Sequence, residues 1–455
     1  VAERNAVIVG AGIGGLAAAQ AVAADFDNVT IVERDVLTPD TSSRNGVRHG
    51  HHYHGLVGQE LFARLFPGIL DKMEERGAPR VDMTADVRAS YFGNQLLCES
   101  TGLQALMTSQ PFLEKHLRNE VASLSNVSIF DRCTAGRIIT ASKNRHVTGI
   151  HVSFHETPDT SPQLFPADLV VDATGRAARA RTWLSDLGLA RPIEESTAIR
   201  CTYTTCHFSA PPDAFGPQRT IVAGPTPQCP RGFFLAAQED SRWVFSLFGY
   251  GPENKPSNNL DEFLTYSRDI VPPDVWDAMR QLQPDDQIVS FHYPATRRLH
   301  YQRHHNMPEG LVCVGDSLCT TSPIYGAGMT MAAMQALILK ECLRDHPREL
   351  QGRFHRKVYN TMRPIWHFTR IADSVMPGVS KRPEFVNRLV GKLMTSTTAA
   401  AAHDLDVMTA IVKALTFNGS PSKLLKPKIL HSIVAEIFRK SHDGPRVNVP
   451  TRLRR

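Results

Sequence analysis

The sequence has no Cys-x-x-Cys pair, although eight cysteines are scattered along its 455 residues from Cys98 to Cys342. In a chain this long, that scatter argues against a disulfide framework and reads as reduced thiols. Long hydrophobic runs are also missing. No stretch of about 18 apolar residues could span a bilayer, and no signal peptide precedes a first strand that begins by residue 6, so the expected location is the cytoplasm. Charge of one sign is in short supply: 51 Lys and Arg face 45 Asp and Glu, a net charge of +6. So dilute an excess does not imply a nucleic-acid partner, and none is expected; it suits an anionic cofactor or weak attraction to an acidic membrane surface. Internal repeats and long low-complexity segments are absent. What remains is ordinary globular material, 42% hydrophobic and 21% charged, enough for a large core and two or three substructures.

Against this background two glycine-rich segments stand out, about 300 residues apart. The first follows a short apolar run, Val7-Ile8-Val9, and reads Gly10-Ala11-Gly12-Ile13-Gly14-Gly15 before an alanine-rich helix former, Leu16 to Ala24. Gly10 permits a tight turn out of the strand, Gly12 lets backbone approach a pyrophosphate, and Gly15 allows helix and strand to pack closely. Phosphates then sit at the helix N-terminus, where N–H groups and the dipole favour anions. Val29–Val32 is the next strand and ends in Glu33, placed to accept hydrogen bonds from an adenosine ribose. Glu33 and the adjoining Arg34 are cofactor-binding candidates.

The second segment runs from the apolar strand Val312-Cys313-Val314 into Gly315-Asp316, then through Pro323 and Tyr325 to Gly326-Ala327-Gly328-Met329. Asp316 lands at a strand's C-terminal end, where a carboxylate can hold ribityl hydroxyls. Pro323 and the Gly326–Gly328 turn open a second helix. Its first N–H groups, near Gly328 and Met329, are aimed at a flavin pyrimidine edge, where they favour negative charge. Together the two segments predict FAD held by two distant parts of one chain.

Between them the texture changes. Ala198–Phe208, Arg219–Ala223, Gly232–Ala237 and Trp243–Phe248 are β-rich and separated by Pro and Gly turns. The expected fold is α/β: a Rossmann-like FAD-binding domain (1–80, 101–195 and 290–350), an inserted β-rich substrate domain (81–100 and 196–289) and a C-terminal helical region (351–455). The β-rich cover supplies Phe92, Tyr203, Phe234 and Phe245 as substrate-binding candidates, with Tyr325 beside the second glycine turn. An apolar, aromatic pocket suits a polyene, terpenoid or polyketide; plain core packing is the alternative for each residue. His49, His51, His52 and His54 crowd one loop without a carboxylate among them, and no metal is expected. The amphipathic, basic stretch from Leu424 to Lys440 is either a docked helix or one that lies on a membrane.

Three further stretches carry a resemblance. They are the loop Arg44-Asn45-Gly46-Val47-Arg48-His49-Gly50-His51-His52-Tyr53-His54, the segment Ser109-Gln110-Pro111-Phe112-Leu113-Glu114-Lys115-His116-Leu117-Arg118, and Arg298-Leu299-His300-Tyr301 with Pro308-Glu309-Gly310-Leu311. With the glycine segments, they make the chain resemble the FAD-dependent monooxygenases of the p-hydroxybenzoate-hydroxylase superfamily. Within it, the likeness is to bacterial epoxidases and hydroxylases of polyketide and terpenoid biosynthesis, such as the polyether epoxidases. The likeness runs from residue 5 to about 345. In the loop, Arg44, Gly46, Val47, His52 and His54 match the subgroup, whereas Arg48, His49 and His51 depart from it. The resemblance implies that Arg44 and Arg118 bind FAD, Arg118 at the pyrophosphate. The superfamily's middle Asp-Gly fingerprint is altered here to Val170-Val171-Asp172-Ala173-Thr174-Gly175-Arg176. That alteration leaves open whether NAD(P)H or a separate flavin reductase supplies electrons.

The activity so implied is insertion of one oxygen atom from O2, through a flavin C4a-hydroperoxide, into a lipophilic secondary metabolite by epoxidation or hydroxylation. The cofactor carries that chemistry, so no side chain is nominated as acid or base. An FAD-dependent reductase of isoprenoid double bonds is the alternative. A halogenase fits poorly, because no Trp-x-Trp-x-Ile-Pro segment is present.

Overall fold

The computed structural model describes residues 3–37, 53–55, 58–141, 146–158, 160–345, 349–379, 384–415 and 426–442. A five-stranded parallel sheet lies at its centre, in the order Leu311–Cys313, Leu169–Asp172, Asn5–Val9, Asn28–Val32, Val127–Phe130. These strands are short and mostly apolar, as expected of strands covered on both faces. The helix Ile13–Val22 packs on the sheet, and its small residues Ala17, Ala18 and Ala21 are fully buried. Their size admits a second helix, Ala327–Asp345, directly alongside. A three-stranded antiparallel sheet, Cys133–Ala141 with His146–Phe154 and Gln163–Pro166, completes this half. The β-α-β unit and the helix after Gly328 thus stand where the sequence placed them.

The other half is built on an eight-stranded sheet ordered Cys319–Thr320, Val289–Leu299, Glu194–Ser209, Arg242–Tyr250, Arg231–Ala237, Thr220–Ala223, Val87–Tyr91, Asn94–Gln95. Its pairings are antiparallel except that between Thr220–Ala223 and Val87–Tyr91. Strand alternation divides its apolar residues between two cores. Phe208, Phe233, Leu235, Trp243, Phe245 and Leu247 face the helices Leu260–Ser267 and Pro273–Met279. Tyr203, Phe248 and Tyr250 face the other way, toward Val375, Met376 and Val379.

Two expected boundaries shift. Residues 290–299, expected in the nucleotide-binding half, belong to the strand Val289–Leu299, which pairs with Glu194–Ser209 along nearly its whole length. Val81 and Asp82, assigned to the substrate domain, pair instead with Ala105 and Gln104 in a separate small sheet.

The C-terminal region is helical, with helices Leu350–Ser374, Glu384–Ala400, Leu405–Leu415 and Pro427–His442. The first joins the two halves. Near its start, His355 Nε2 accepts the Cys313 N–H (3.2 Å), on the edge strand of the parallel sheet. Farther along, Arg370 and the buried Arg298 both pair with Glu195 of the large sheet. The Arg298 guanidinium also lies over the Tyr359 and Trp366 rings of the helix, at 4.7 and 5.0 Å.

Candidate active site

Three segments far apart in sequence meet at the carboxyl end of the parallel sheet. The first is the Gly10–Gly15 turn. A Cβ on Gly15 would stand 1.8 Å from the Gly10 carbonyl oxygen, so only glycine lets the helix begin this close to the strand. The second is Asp172-Ala173-Thr174. The Asp172 carboxylate accepts from the Thr174 N–H (3.0 Å) and the Ala180 N–H (2.6 Å), and burial pushes its pKa up. The altered middle motif therefore anchors backbone beside the first turn. The third is the turn after Cys313. The Asp172 carbonyl accepts from the Val314 N–H (2.9 Å) and from Ser317 Oγ (2.6 Å). A Cβ on Gly14 would lie 3.7 Å from Gly315 Cα, so the two glycine segments abut.

The predicted cofactor residues divide by position. The N-cap of the first helix, Gly12, offers no side chain, and no acidic residue follows in the first turn, so backbone N–H groups face the carboxyl end of the sheet. Ala11, Ile13 and Gly14 belong to this turn. The Glu33 carboxylate is buried and accepts from the Ala11 N–H (2.7 Å) and the Asp35 N–H (3.0 Å), which ties the end of the second strand to the glycine turn. Arg34 points outward and pairs with Asp35 (3.1 Å). Arg118 is buried on the helix Gln110–Ala122, which is capped by Ser109 Oγ and packs on Ile13–Val22. Arg44 lies outside the described residues.

At the second segment, Asp316 is half-buried in the turn, and Pro323 opens the short helix Pro323–Tyr325. Gly326 follows at φ 61°, a left-handed conformation that favours glycine. A Cβ on Gly326 or on Gly328 would meet no heavy atom within 4 Å, whereas one on Gly15 would be driven into backbone. Met329 packs partly on the main core. The residues fit FAD: an uncapped helix start and an adjoining carboxylate suit the adenosine diphosphate end, and an open, glycine-lined helix start suits the flavin end.

Beside this cradle lies an aromatic cluster. Tyr203, Phe248 and Tyr250 come from the large sheet, Ile324 from the turn before Gly326, and Phe92 and Phe234 pack at its edge. Tyr203 stacks on Phe291 (5.7 Å between centroids). Burial raises its phenol well above the ordinary range, and Asp316 is among the charges acting on it. Phe92 sits in a tight turn at φ 49°. Val390 and Met394, on the helix Glu384–Ala400, close the cluster from outside. Phe245 does not join it. Its ring is fully buried on the opposite face of the sheet, edge-on to Phe263 at 5.2 Å.

The sequence reading named no chemistry beyond residue 355, yet Asp373 stands in this cluster. Its Oδ1 accepts from Tyr250 Oη (2.6 Å) and Tyr325 Oη (3.0 Å). Burial raises the Asp373 carboxyl to about 6. The signal available was helical spacing: Trp366, Thr369 and Asp373 share one buried face. Among the described residues, no group of three or more His, Cys, Asp or Glu could hold a metal ion. His49, His51 and His52 lie outside the described residues, and of His54 only the backbone is described.

A sequence profile of the squalene epoxidase family matches residues 228–380, which hold four of the eight strands of the large sheet, the second glycine segment and the joining helix. The chain belongs to the FAD-dependent monooxygenase superfamily. It is 31% identical to Protein Rv3254 of Mycobacterium tuberculosis over 382 residues, 81% of this chain and 80% of that one. It is 24% identical to squalene monooxygenase 1,2 of Brassica napus over 75% of this chain, spanning 61% of that protein's length. The fold is shared with p-nitrophenol 4-monooxygenase PnpA from Pseudomonas putida (TM-score 0.66, 14% identity), covering 92% of this chain and 98% of that one. Among the described residues, no helix is long and apolar enough to cross a membrane.

Proposed function

We propose that this FAD-dependent monooxygenase inserts one oxygen atom of O2 into a lipophilic secondary metabolite, by epoxidation of a polyene, terpenoid or polyketide alkene or by hydroxylation. The observation that carries the reading is the nearness of an open, glycine-lined cradle to an aromatic cluster that includes Tyr203, Phe248, Phe234 and Ile324. FAD, when bound and reduced, supplies the electrons that activate O2. The Gly12–Gly14 N–H groups and Arg118 would hold the pyrophosphate, Glu33 the adenosine ribose and Asp316 the ribityl chain. The first N–H groups of Ala327–Asp345 would face the flavin pyrimidine edge and favour negative charge there. The aromatic cluster would supply the apolar surface that buries the substrate's body and excludes water. Electrons come from NAD(P)H or from a separate flavin reductase.

The same reading includes peripheral contact with a lipid surface. The support shifts from the last helix to Glu384–Ala400. On Pro427–His442, Ile429 and Ile433 are buried, with Leu430 and Val434 left outside. On Glu384–Ala400, Phe385, Leu389 and Leu393 stand exposed one helical turn apart, on the side away from Val390 and Met394. Co-sedimentation with lipid vesicles that is lost in Leu389→Glu is the expected result.

The function is tested by turnover of the FAD-loaded, reduced enzyme under labelled O2 with a panel of polyenes and aromatics. One labelled oxygen atom per product is expected. A saturated alkene without label would replace the reading with that of a double-bond reductase.

A further inference from the structure

Arg298 is 3% exposed, yet most of its hydrogen bonds are unmade. Nη2 donates to Glu195 Oε2 (2.8 Å), while Nε and Nη1 are buried with no hydrogen-bond partner. The Tyr359 and Trp366 rings attract the charge but offer no lone pair to those N–H groups. Glu195 does not neutralise the group on its own either. Its Oε1 pairs with Arg370, so one carboxylate serves two guanidinium groups. His300 Nε2 also stands 3.3 Å from Oε2, and burial holds the His300 pKa below its ordinary value, so it contributes no charge at neutral pH. The cluster therefore carries one positive charge in excess, and buried cations are normally paired.

A small cavity opens against Arg298. Its volume is about 10 Å³, room for one species of roughly the size of a water molecule. The wall is drawn from three places: Arg298 and Tyr301 at the end of the strand Val289–Leu299, Cys319 just beyond the Asp316 turn, and His355, Tyr359 and Met362 on the joining helix. Among the described residues no Asp or Glu lines it. The Cys319 thiol is pushed up to about 12 by burial and stays protonated. Both ring nitrogens of His355 are taken, by the Gln351 carbonyl and the Cys313 N–H. The buried Tyr301 hydroxyl, like the Arg298 donors, has no nitrogen or oxygen partner. The cavity thus borders a buried cation with free N–H groups, and its wall holds no negative charge.

We propose that this cavity is a binding site for a single monatomic anion, chloride, held by Arg298 Nε and Nη1. A water molecule would satisfy the two N–H groups but leave the excess charge uncompensated, whereas a halide does both. Polyatomic anions such as acetate are too large for the space. Chloride is slightly larger than water, and the unbranched Met362 side chain yields to it. The bound ion bridges the strand Val289–Leu299, the segment after Asp316 and the helix Leu350–Ser374, and so clamps the two halves together. It is independent of the monooxygenase reading and of any substrate.

Two measurements on the FAD-loaded full chain test it. In thermal unfolding, sodium chloride is compared with sodium acetate at equal ionic strength. Chloride is expected to raise Tm by about 2 °C more than acetate, with saturation at millimolar concentration, because it binds only the folded state. Arg298→Met is expected to lose that difference while keeping the general salt effect common to both anions. In a crystal grown in chloride, long-wavelength data are expected to show an anomalous peak within hydrogen-bond distance of Arg298 Nε or Nη1, with the sulfurs of Cys319 and Met362 as internal scale. The crystal needs no variant, so it decides alone where Arg298→Met does not fold. Equal Tm in the two salts, a chloride effect retained in Arg298→Met, or a cavity that holds a water molecule or nothing each overturns the proposal.

Discussion

Substitution of Gly15 by alanine separates the two kinds of glycine in the cradle. The added Cβ would lie 1.8 Å from the Gly10 carbonyl oxygen and 2.9 Å from its carbon. A comfortable carbon–oxygen approach is about 3.3 Å, so the helix start must retreat by roughly 1.5 Å from the strand end. Neither neighbour can rotate away, since both atoms are backbone. Overpacking of a closed contact costs about 1–3 kcal/mol, and this site belongs at the upper end. The same retreat carries the first-turn N–H groups away from where a pyrophosphate would sit. A loss of FAD affinity of about 100-fold follows, equivalent to about 2.7 kcal/mol. Gly328 gives the opposite pattern. Its Cβ meets nothing within 4 Å, and its backbone is not left-handed. Gly328→Ala therefore leaves the stability of the FAD-free chain within about 0.5 kcal/mol, while the bulkier Gly328→Leu removes FAD binding without destabilising that form. Denaturant unfolding of the FAD-free chain and fluorescence titration with FAD measure both quantities. A Gly15→Ala protein with wild-type stability and affinity would refute the reasoning, as would a Gly328→Leu protein that still binds FAD normally.

Phe245→Ala is expected to cost about 3–5 kcal/mol in denaturant unfolding, because its ring is fully buried against Phe263; Phe234→Ala should instead weaken binding of apolar ligands more than it lowers stability. His355 is held neutral, its pKa lowered by burial from 6.5 to about 4. The unfolded chain therefore binds the extra proton first, and between pH 7 and pH 5 the wild type should lose about 2 kcal/mol relative to His355→Gln. Asp373 works in the other direction. Its pKa rises from 3.8 to about 6 on folding, so the native state takes the proton first, and over the same interval the wild type should gain about 1 kcal/mol relative to Asp373→Asn. Unfolding curves at the two pH values check both signs, and matching slopes for variant and wild type would contradict the burial argument in either case.

The cofactor half was legible because its signals are local. Gly10, Gly12 and Gly15 are spaced by the geometry of one turn, and Glu33 closes one β-α-β unit. The strand Val289–Leu299 was missed because Pro294, Arg297 and Arg298 interrupt its apolar pattern, and its long pairing with Glu194–Ser209 supplies what local sequence does not. The aromatic cluster was half legible. Aromatic residues marked the large sheet, but Phe245 and Phe248 lie three positions apart on one strand and so face opposite sides, which period-two alternation alone settles. Asp373 was hidden for a different reason. A single carboxylate in an amphipathic helix reads as surface, and only its contacts with Tyr250 and Tyr325, 123 and 48 residues away, reveal otherwise.

The helix Leu350–Ser374 acts as a gauge block between the two halves. His355 seats one end against the strand that precedes Asp316, and Asp373 seats the other against Tyr250 and Tyr325. The two are 18 positions apart, about 27 Å of helix, and each added residue would advance the far end by about 1.5 Å and turn it by about 100°. A one-residue insertion near Pro364 would therefore leave the cofactor sheet intact while swinging the carboxylate out of register with both phenols. The offset between the aromatic cluster and the edge of the parallel sheet is in this sense written into the length of one helix.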